Sequence, residues 1–243
     1  MKQLPSPPPA LLDNASLFLD LDGTLVDFVI DPAKIRVDDR LRTLLRDLWQ
    51  RLDGRLAILS GRSLDDISAR LDLDGVSMAG SHGLERRSAS GAATRPTLPA
   101  GFSVAVDRAR AFAERHDLLL EIKAAGVAMH YRDSQHAEPA VDVFARNLAA
   151  ETGLDLQKGK CVHELRVPGA DKGDAVRAFM AEPPFALGSP VAMGDDMTDE
   201  HAFIAAAELG GCGILVGEPR ATSATFALPT VAATLAWLSG GAR

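Results

Sequence analysis

Cysteine is scarce in this 243-residue chain: Cys161 and Cys212 are the only two, each inside a short apolar run and in no paired ligand spacing. That excludes a disulfide-stapled framework and a thiolate metal cluster, and it predicts free thiols in a reducing compartment. Long apolar runs are also missing. No stretch nears the ~20 residues that cross a bilayer. Pro5, Pro7, Pro8 and Pro9 interrupt the N-terminal segment before any secretory core forms, so no membrane partner and a cytoplasmic location are expected. Positive charge is in deficit, 26 basic residues against 33 acidic for a net of −7, which repels a phosphate backbone and argues against nucleic acid as a partner. The six histidines show no metal-ligand spacing, which argues against zinc. No repeat of solenoid period is present. What remains is ordinary globular composition, 47% apolar and 24% charged, in a chain long enough to bury roughly three quarters of its unfolded surface.

Short apolar strands alternate with amphipathic helices in both end regions. Residues 16–19 form a strand that ends in Asp20-Leu21-Asp22-Gly23-Thr24. Asp38 is placed to cap a helix carrying Leu41, Leu44, Leu45, Leu48 and Leu52, with Gly54 as its stop. A strand over 56–59 ends in Ser60-Gly61-Arg62; a helix over 64–71 and a strand near 76–79 follow. Later, a helix after Asp171 carries Val176, Phe179 and Met180, a strand over 191–193 ends in Gly194-Asp195-Asp196, and a helix through 203–204 leads to a strand over 214–216. This alternation predicts an α/β fold with a doubly wound parallel sheet. The middle of the chain differs. Residues 86–95 read as a polar connection, and helices over 104–116 and 138–150 are interleaved with strand-like runs at 118–123, 127–132, 154–158 and 161–167, with hairpin turns at Gly126 and Gly159. The expected organisation is a catalytic core from 1–84 and 168–243, with an α+β domain inserted over 85–167.

In an open parallel sheet, ligands bind beyond the carboxyl ends of the strands. Three predicted strands end in groups that suit a shared chemistry, namely Asp20 with Asp22, Ser60, and Asp195 with Asp196 and Asp199. A single Asp-Gly after a strand signals only a turn; three converging ends predict an acidic pocket. Crowded carboxylates stay ionised only beside a cation, and Mg²⁺ suits hard oxygen ligands while sharing phosphate oxygens with a substrate. An anionic substrate and phosphoryl transfer follow, with an aspartate as nucleophile. In the inserted domain, residues two apart on a strand share a face. Glu121 with Lys123, His130 with Arg132, Lys158 with Lys160, and Glu164 with Arg166 predict one polar sheet face suited to a hydroxyl-rich ligand.

Asp20-Leu21-Asp22-Gly23-Thr24-Leu25, then Ser60, Lys172 and Gly194-Asp195-Asp196 with Asp199, resemble in order the four motifs of the haloacid dehalogenase (HAD) superfamily of aspartyl-phosphate phosphatases. The resemblance implies a HAD-like core with an α+β cap, and a role for each matched residue. Asp20 would be the nucleophile and Asp22 the general acid and then base; Ser60 would donate to a phosphoryl oxygen and Lys172 would balance charge. Asp20, the Asp22 carbonyl and Asp195 would hold Mg²⁺, with Thr24, Asp196 and Asp199 behind them. Further strings are similar to the trehalose-6-phosphate phosphatase family over 16–238: Ser60-Gly61-Arg62, Gly80-Ser81-His82-Gly83-Leu84-Glu85, 127–132, Lys158-Gly159-Lys160 through Glu164 and Arg166, and 194–200. The family often has Asn in place of Ser81, and Pro directly after the arginine matched by Arg166, where Val167 intervenes. The resemblance implies Mg²⁺-dependent hydrolysis of trehalose 6-phosphate through an aspartyl-phosphate, with a sugar phosphate as the small-molecule partner and a pathway link to a trehalose-6-phosphate synthase. Substrate contacts would come from Arg62, His82, Glu121, Lys123, His130, Arg132, Lys158 and Glu164. The residues themselves leave open another sugar phosphate (of sucrose, mannosylglycerate or a hexose), a phosphomutase, or a non-catalytic sugar-phosphate sensor on the same fold.

Overall fold

The computed structural model describes residues 4–27, 35–159 and 161–241. It divides into two compact units: one runs to Thr94 and resumes at Ala170, and the other spans Arg95–Gly169. In chain order the first part comprises β1 (Ala15–Asp20), α1 (Asp39–Arg51), β2 (Leu56–Leu59), α2 (Leu64–Leu71), β3 (Ser77–Gly80), β4 (Glu85–Arg87) and β5 (Ala93–Thr94). The second unit comprises α3 (Gly101–His116), β6 (Leu119–Lys123), β7 (Gly126–His130), α4 (Glu138–Thr152), β8 (Asp155–Gly159) and β9 (Val162–Arg166). The chain then returns through α5 (Lys172–Met180), β10 (Ser189–Gly194), α6 (Glu200–Glu208), β11 (Cys212–Val216), β12 (Phe226–Leu228) and α7 (Val231–Gly241). No helix among the described residues is long and apolar enough to cross a membrane.

The first unit is built on one sheet of order β12-β11-β10-β1-β2-β3-β4-β5. From β12 to β3 all neighbours are parallel, so both faces are covered and β1 is buried along its whole length. Alternate residues serve two apolar layers. Leu17, Leu19, Ile58, Val191, Met193 and Ile214 join the leucines of α1 and α2 on one face, while Phe18, Ala57, Leu59, Ala192 and Leu215 meet Val176, Phe179 and Phe203 on the other. Each of the larger side chains, from valine to phenylalanine, contributes about 1.5–3 kcal/mol on burial. From β1 the chain winds one way to β2 and β3 and, after the insertion, the other way from β10 to β12. Strand order therefore reverses between β1 and β10, which is where a doubly wound sheet opens a crevice.

Helix starts are fixed locally. Asp38 accepts from the Leu41 amide at 2.8 Å, Ser63 from Asp66 at 3.2 Å, and Asp171 from Gly173 and Asp174 in a reciprocal capping box at the head of α5. The polar connection expected over 86–95 instead forms β4 and β5. Met78 pairs with Arg87, Ala79 with Arg86 and Gly80 with Glu85, so the sheet continues and the first unit extends to Thr94 rather than ending at 84. Backbone pairing makes these strands; Glu85-Arg86-Arg87 carries no apolar alternation to announce one.

In the second unit an antiparallel sheet of order β6-β7-β9-β8 is covered on one face by α3 and α4, with Val127, Met129 and Leu165 fully buried and Phe112 stacked on Phe144 at 4.0 Å. The expected turn glycine, Gly126, is the first residue of β7 and pairs with Lys123. β7 ends at His130, so Arg132 leaves the sheet and opens a short helical turn, Arg132–Ala137. Lys160 lies outside the described residues.

Candidate active site

Asp20 is the last residue of β1, and its side chain is only 7% exposed. Lys172, the first residue of α5, places its buried ammonium 2.6 Å from Asp20 Oδ1 and 2.5 Å from Asp199 Oδ1. The other Asp199 oxygen accepts from the Asp195 and Asp196 amides at 3.0 Å each. One side chain thereby ties the turn after β10 to the lysine that serves β1. Carboxylate oxygens of Asp20, Asp195 and Asp199 all lie within 4.8 Å of one another, the only such group of potential ligands among the described residues. Asp199 commits both oxygens to protein donors, so Asp20 and Asp195 are the better placed to bind an ion. The packing admits no larger residue at two points: a Cβ on Gly23 (φ +91°) would stand 2.3 Å from Asp195 Oδ2, and one on Gly194 would stand 2.1 Å from Asp199 Cγ.

Charge is unbalanced in this pocket. Burial lifts the Asp20 carboxyl well above the usual carboxylate range; Lys172 opposes the shift, and Asp199 and Asp195 add to it. Burial, with the Asp199 carboxylate next, pushes Asp195 up to about 7 against the pull of Lys172. Burial alone would depress the Lys172 ammonium, but Asp199 and Asp20 outweigh it and hold the pKa well above its ordinary value. Three carboxylates with hard oxygen donors and a single ammonium fit a divalent cation of the Mg²⁺ or Mn²⁺ type.

Asp22 sits in a different field. Arg62 grips it bidentately, Nε to Oδ2 and Nη2 to Oδ1, both at 2.7 Å, and reaches Asp66 at 2.8 Å through Nη1. Asp66 also takes Arg70. Arg62 was expected either at the substrate or paired with a nearby acid such as Asp65 or Asp66; its guanidinium engages two carboxylates of its own unit, Asp66 among them. Ser60 is fully buried at the tip of β2, and its Oγ accepts from the Arg62 amide at 3.1 Å. Thr24 Oγ1 is buried with no hydrogen-bond partner among the described residues, and the Asp196 side chain caps its own turn through the Met197 amide.

The turn after β3 braces both loops. Ser81 and His82 are left-handed at φ 49° and 57°; the His82 amide donates to Ser60 O at 3.0 Å and the Ser81 amide to Arg62 O at 2.7 Å. A Cβ on Gly61 would stand 2.6 Å from the His82 ring, and one on Gly83 (φ +103°) 2.1 Å from Asp171 O, next to Lys172. Glu85, fully buried, accepts from Ser81 Oγ at 2.8 Å and from the Leu64 amide at 3.2 Å.

In the second unit, Lys123 bonds Glu164 at 2.6 Å and Glu121 meets His130 at 3.0 Å on the sheet face away from the helices. Gly126 leaves the room Glu164 needs: a Cβ there would lie 2.6 Å from Glu164 Oε1. Lys158 was expected on this face and is on the other one. It pairs with His163, so it turns toward α4 and forms an ion pair with Asp142, while Gln157 stands opposite Glu164. Hydrogen bonds from Lys158, Arg146 and His163 hold the Asp142 carboxyl below the usual carboxylate range. Nothing in the sequence signals Arg220, whose guanidinium reaches the Asp195 and Asp196 carbonyls from the loop after β11.

A doubly wound sheet with acids at the tips of β1 and β10, a buried lysine between them and an inserted α+β unit have the fold of the HAD-superfamily phosphatases. The chain belongs to the trehalose-phosphatase family of phosphoric monoester hydrolases, whose family model matches residues 18–232. It is 37% identical over 226 residues to a probable trehalose-phosphate phosphatase of Sinorhizobium fredii, covering 91% of this chain and 85% of the relative. It is 35% identical over 233 residues to trehalose-6-phosphate phosphatase of Escherichia coli, covering 95% and 87%. Among solved structures, a trehalose-6-phosphate phosphatase related protein superposes with a TM-score of 0.77 at 30% identity, covering 92% of this chain and 95% of that one.

Proposed function

We propose that the chain hydrolyses trehalose 6-phosphate to trehalose and phosphate, with Asp20 as nucleophile and Mg²⁺ held by Asp20, the Asp22 carbonyl and Asp195. The observation that carries this reading is the buried Asp20, joined to Lys172 and Asp199 and faced by Asp195, at the point where strand order reverses. When bound, the ion offsets the mutual repulsion of carboxylate and phosphate.

Asp20 forms a bond to phosphorus as the ester P–O bond breaks, and the electron pair leaves on the sugar oxygen, which Asp22 protonates. Asp22 then takes a proton from a water that attacks the same phosphorus, and the bond to Asp20 breaks to release phosphate. Lys172 favours the ionised form of Asp20 against the effect of burial. The Ser60 hydroxyl already accepts from the Arg62 amide, so its own proton is available for a phosphoryl oxygen. Both Asp22 oxygens are taken by the Arg62 fork, which must open before Asp22 can reach the leaving oxygen; Arg62 is assigned to Asp22 rather than to the sugar. Thr24, Asp196 and Asp199 support the ligands from behind. His82 is assigned to bracing the Ser60 turn.

Glu121, Lys123, His130 and Glu164 supply the mixed donors and acceptors that suit sugar hydroxyls; Arg132, beyond the end of β7, and Lys158, turned toward α4, are left out of this set. A cytoplasmic setting accords with the two free cysteines, and a trehalose-6-phosphate synthase would supply the substrate. Phosphate release from trehalose 6-phosphate, sucrose 6-phosphate and glucose 6-phosphate, with and without chelator, tests the reading. Trehalose 6-phosphate should be preferred, with activity lost to chelator and restored by Mg²⁺. Equal turnover of the sucrose ester would overturn the sugar assignment, and release by Asp20→Asn would overturn the mechanism.

A further inference from the structure

We infer that Arg220 is a positioning residue that sets the affinity of the site for its divalent ion by fixing the peptide backbone of Asp195 and Asp196. The inference rests on the metal site proposed above. Asp199 satisfies only the amides of that turn; its carbonyls face the other way. Arg220, from the loop after β11, takes them: Nη2 donates to Asp196 O at 2.7 Å and Nε to Asp195 O at 3.4 Å. The opposite edge of the guanidinium is engaged too, through Nη1 to Glu200 and to Ala221 O at 3.1 Å. Glu200 is anchored in turn by the Ser223 amide at 2.7 Å.

With amides and carbonyls both engaged, rotation of the Asp195 peptide is opposed, and the carboxylate lies against Gly23, where only a glycine leaves it room: a Cβ there would stand 2.3 Å from Oδ2. Small displacements matter, because a Mg²⁺-type ion accepts little deviation from octahedral geometry. Charge supports the same role. The Glu200 carboxylate cancels the guanidinium, so Arg220 steadies the loop without repelling the incoming cation. A lysine, a point charge with no planar fork, would not hold both carbonyls and Glu200 together.

Mn²⁺ binding to the substrate-free full-length protein, read from the electron paramagnetic resonance signal of the free ion, tests this. Arg220→Ala should weaken Mn²⁺ binding about tenfold or more, and Arg220→Lys by a smaller factor. Glu200→Gln, which leaves the guanidinium uncompensated beside Asp195, should weaken it as well. The Mg²⁺ concentration for half-maximal phosphate release should rise in parallel. A role confined to fold stability would lower the melting temperature of the metal-free variants and leave the affinity of the folded fraction alone. If Arg220→Ala fails to fold, Arg220→Lys decides. Affinities of the folded Arg220 variants within twofold of the unsubstituted protein overturn the inference alone. An unsubstituted protein that binds no Mn²⁺, or binds it unaffected by Asp195→Asn, overturns the metal site and the inference with it.

Discussion

Replacing Lys172 by Met keeps the length and most of the volume of the side chain and removes only its charge and donors. Lys172, Asp20 and Asp199 are 3%, 7% and 2% exposed, so solvent cannot take over the lost role. Deleting one partner of a buried ion pair costs about 3–5 kcal/mol, and the ammonium serves two carboxylates at once. For a chain of this size each kcal/mol moves the melting temperature by about 2–4 °C, so metal-free Lys172→Met should melt roughly 6–20 °C below the unsubstituted protein. The loss should shrink toward pH 5, where protonation of Asp20 or Asp195 relieves the repulsion. Added Mg²⁺ should raise the melting point of the variant by more than it raises that of the parent, since the ion enters a more negative pocket, yet phosphate release should stay depressed by two orders of magnitude or more. Differential scanning calorimetry with and without Mg²⁺ reads the stability changes, and a phosphate-release assay reads the turnover. A metal-free variant melting within about 1 °C of the parent would refute the view that this ammonium carries the charge balance of the site.

The elevated Asp195 pKa, about 7, fixes a sign for metal-free stability: the folded state holds a proton that the unfolded state has released, so stability should fall as pH rises from the ordinary carboxylate range through 7. Asp195 is only part-buried, which keeps the slope below the ~1.4 kcal/mol per pH unit of one full proton; urea melts at pH 5 and 8 in chelator check the direction. Asp22→Asn should lower phosphate release from the sugar ester by about 10²–10⁴ but spare an aryl phosphate with a good leaving group, and equal losses on both would speak against its role as acid. Gly83→Ala, at φ +103° with its new Cβ 2.1 Å from Asp171 O, should displace Lys172 and depress turnover. Gly153→Ala, at φ +71° with open space around it, should cost about 1 kcal/mol in thermal stability and leave turnover unchanged. Glu164→Gln should raise KM for the sugar phosphate more than for a small aryl phosphate.

The parts of the fold legible in the sequence are those in which side-chain pattern and structure have one cause. β1, β2 and β10 have apolar centres because helices cover both faces of the sheet, and α1 starts where Asp38 caps it. β4 and β5 escaped detection because their place depends on amides paired with β3, which Glu85-Arg86-Arg87 does not announce. The polar face of the second unit was half legible. Period-two alternation says which residues of one strand share a face, but not which faces of neighbouring strands coincide. That is set by register, and a one-residue difference puts Gln157 opposite Glu164 and turns Lys158 toward α4. Asp20, Asp22, Ser60, Lys172, Asp195 and Asp199 could be read together because each follows a strand or opens a helix in a fixed order. Arg62 shows the limit of such reading: its type and place at a strand tip fit a phosphate ligand equally well, and its bond to Asp22, forty positions away, exists only in three dimensions.

Two carboxylates separated by a single residue, Asp20 and Asp22, are sent by the strand end into opposite electrostatic settings. Asp20 shares a buried pocket with Asp195, Asp199 and one ammonium, so with all three carboxyls ionised three negative charges meet one positive charge and the pocket is two short of neutrality. Asp22 belongs to a chain in which two aspartates, Asp22 and Asp66, alternate with two arginines, Arg62 and Arg70, and that chain is neutral. A divalent ion is therefore called for on one side of the Asp-Leu-Asp turn and not on the other. In the mechanism proposed above, such a division would let an ionised nucleophile work beside an acid that is protonated in every cycle, because the charge that stabilises one is not shared with the other. Arg62→Ala would end the separation by leaving Asp22 as a fourth unbalanced carboxylate, and the division predicts tighter Mn²⁺ binding together with slower turnover of the sugar ester. Weaker Mn²⁺ binding in that variant would mean that the two sets of charges are not independent.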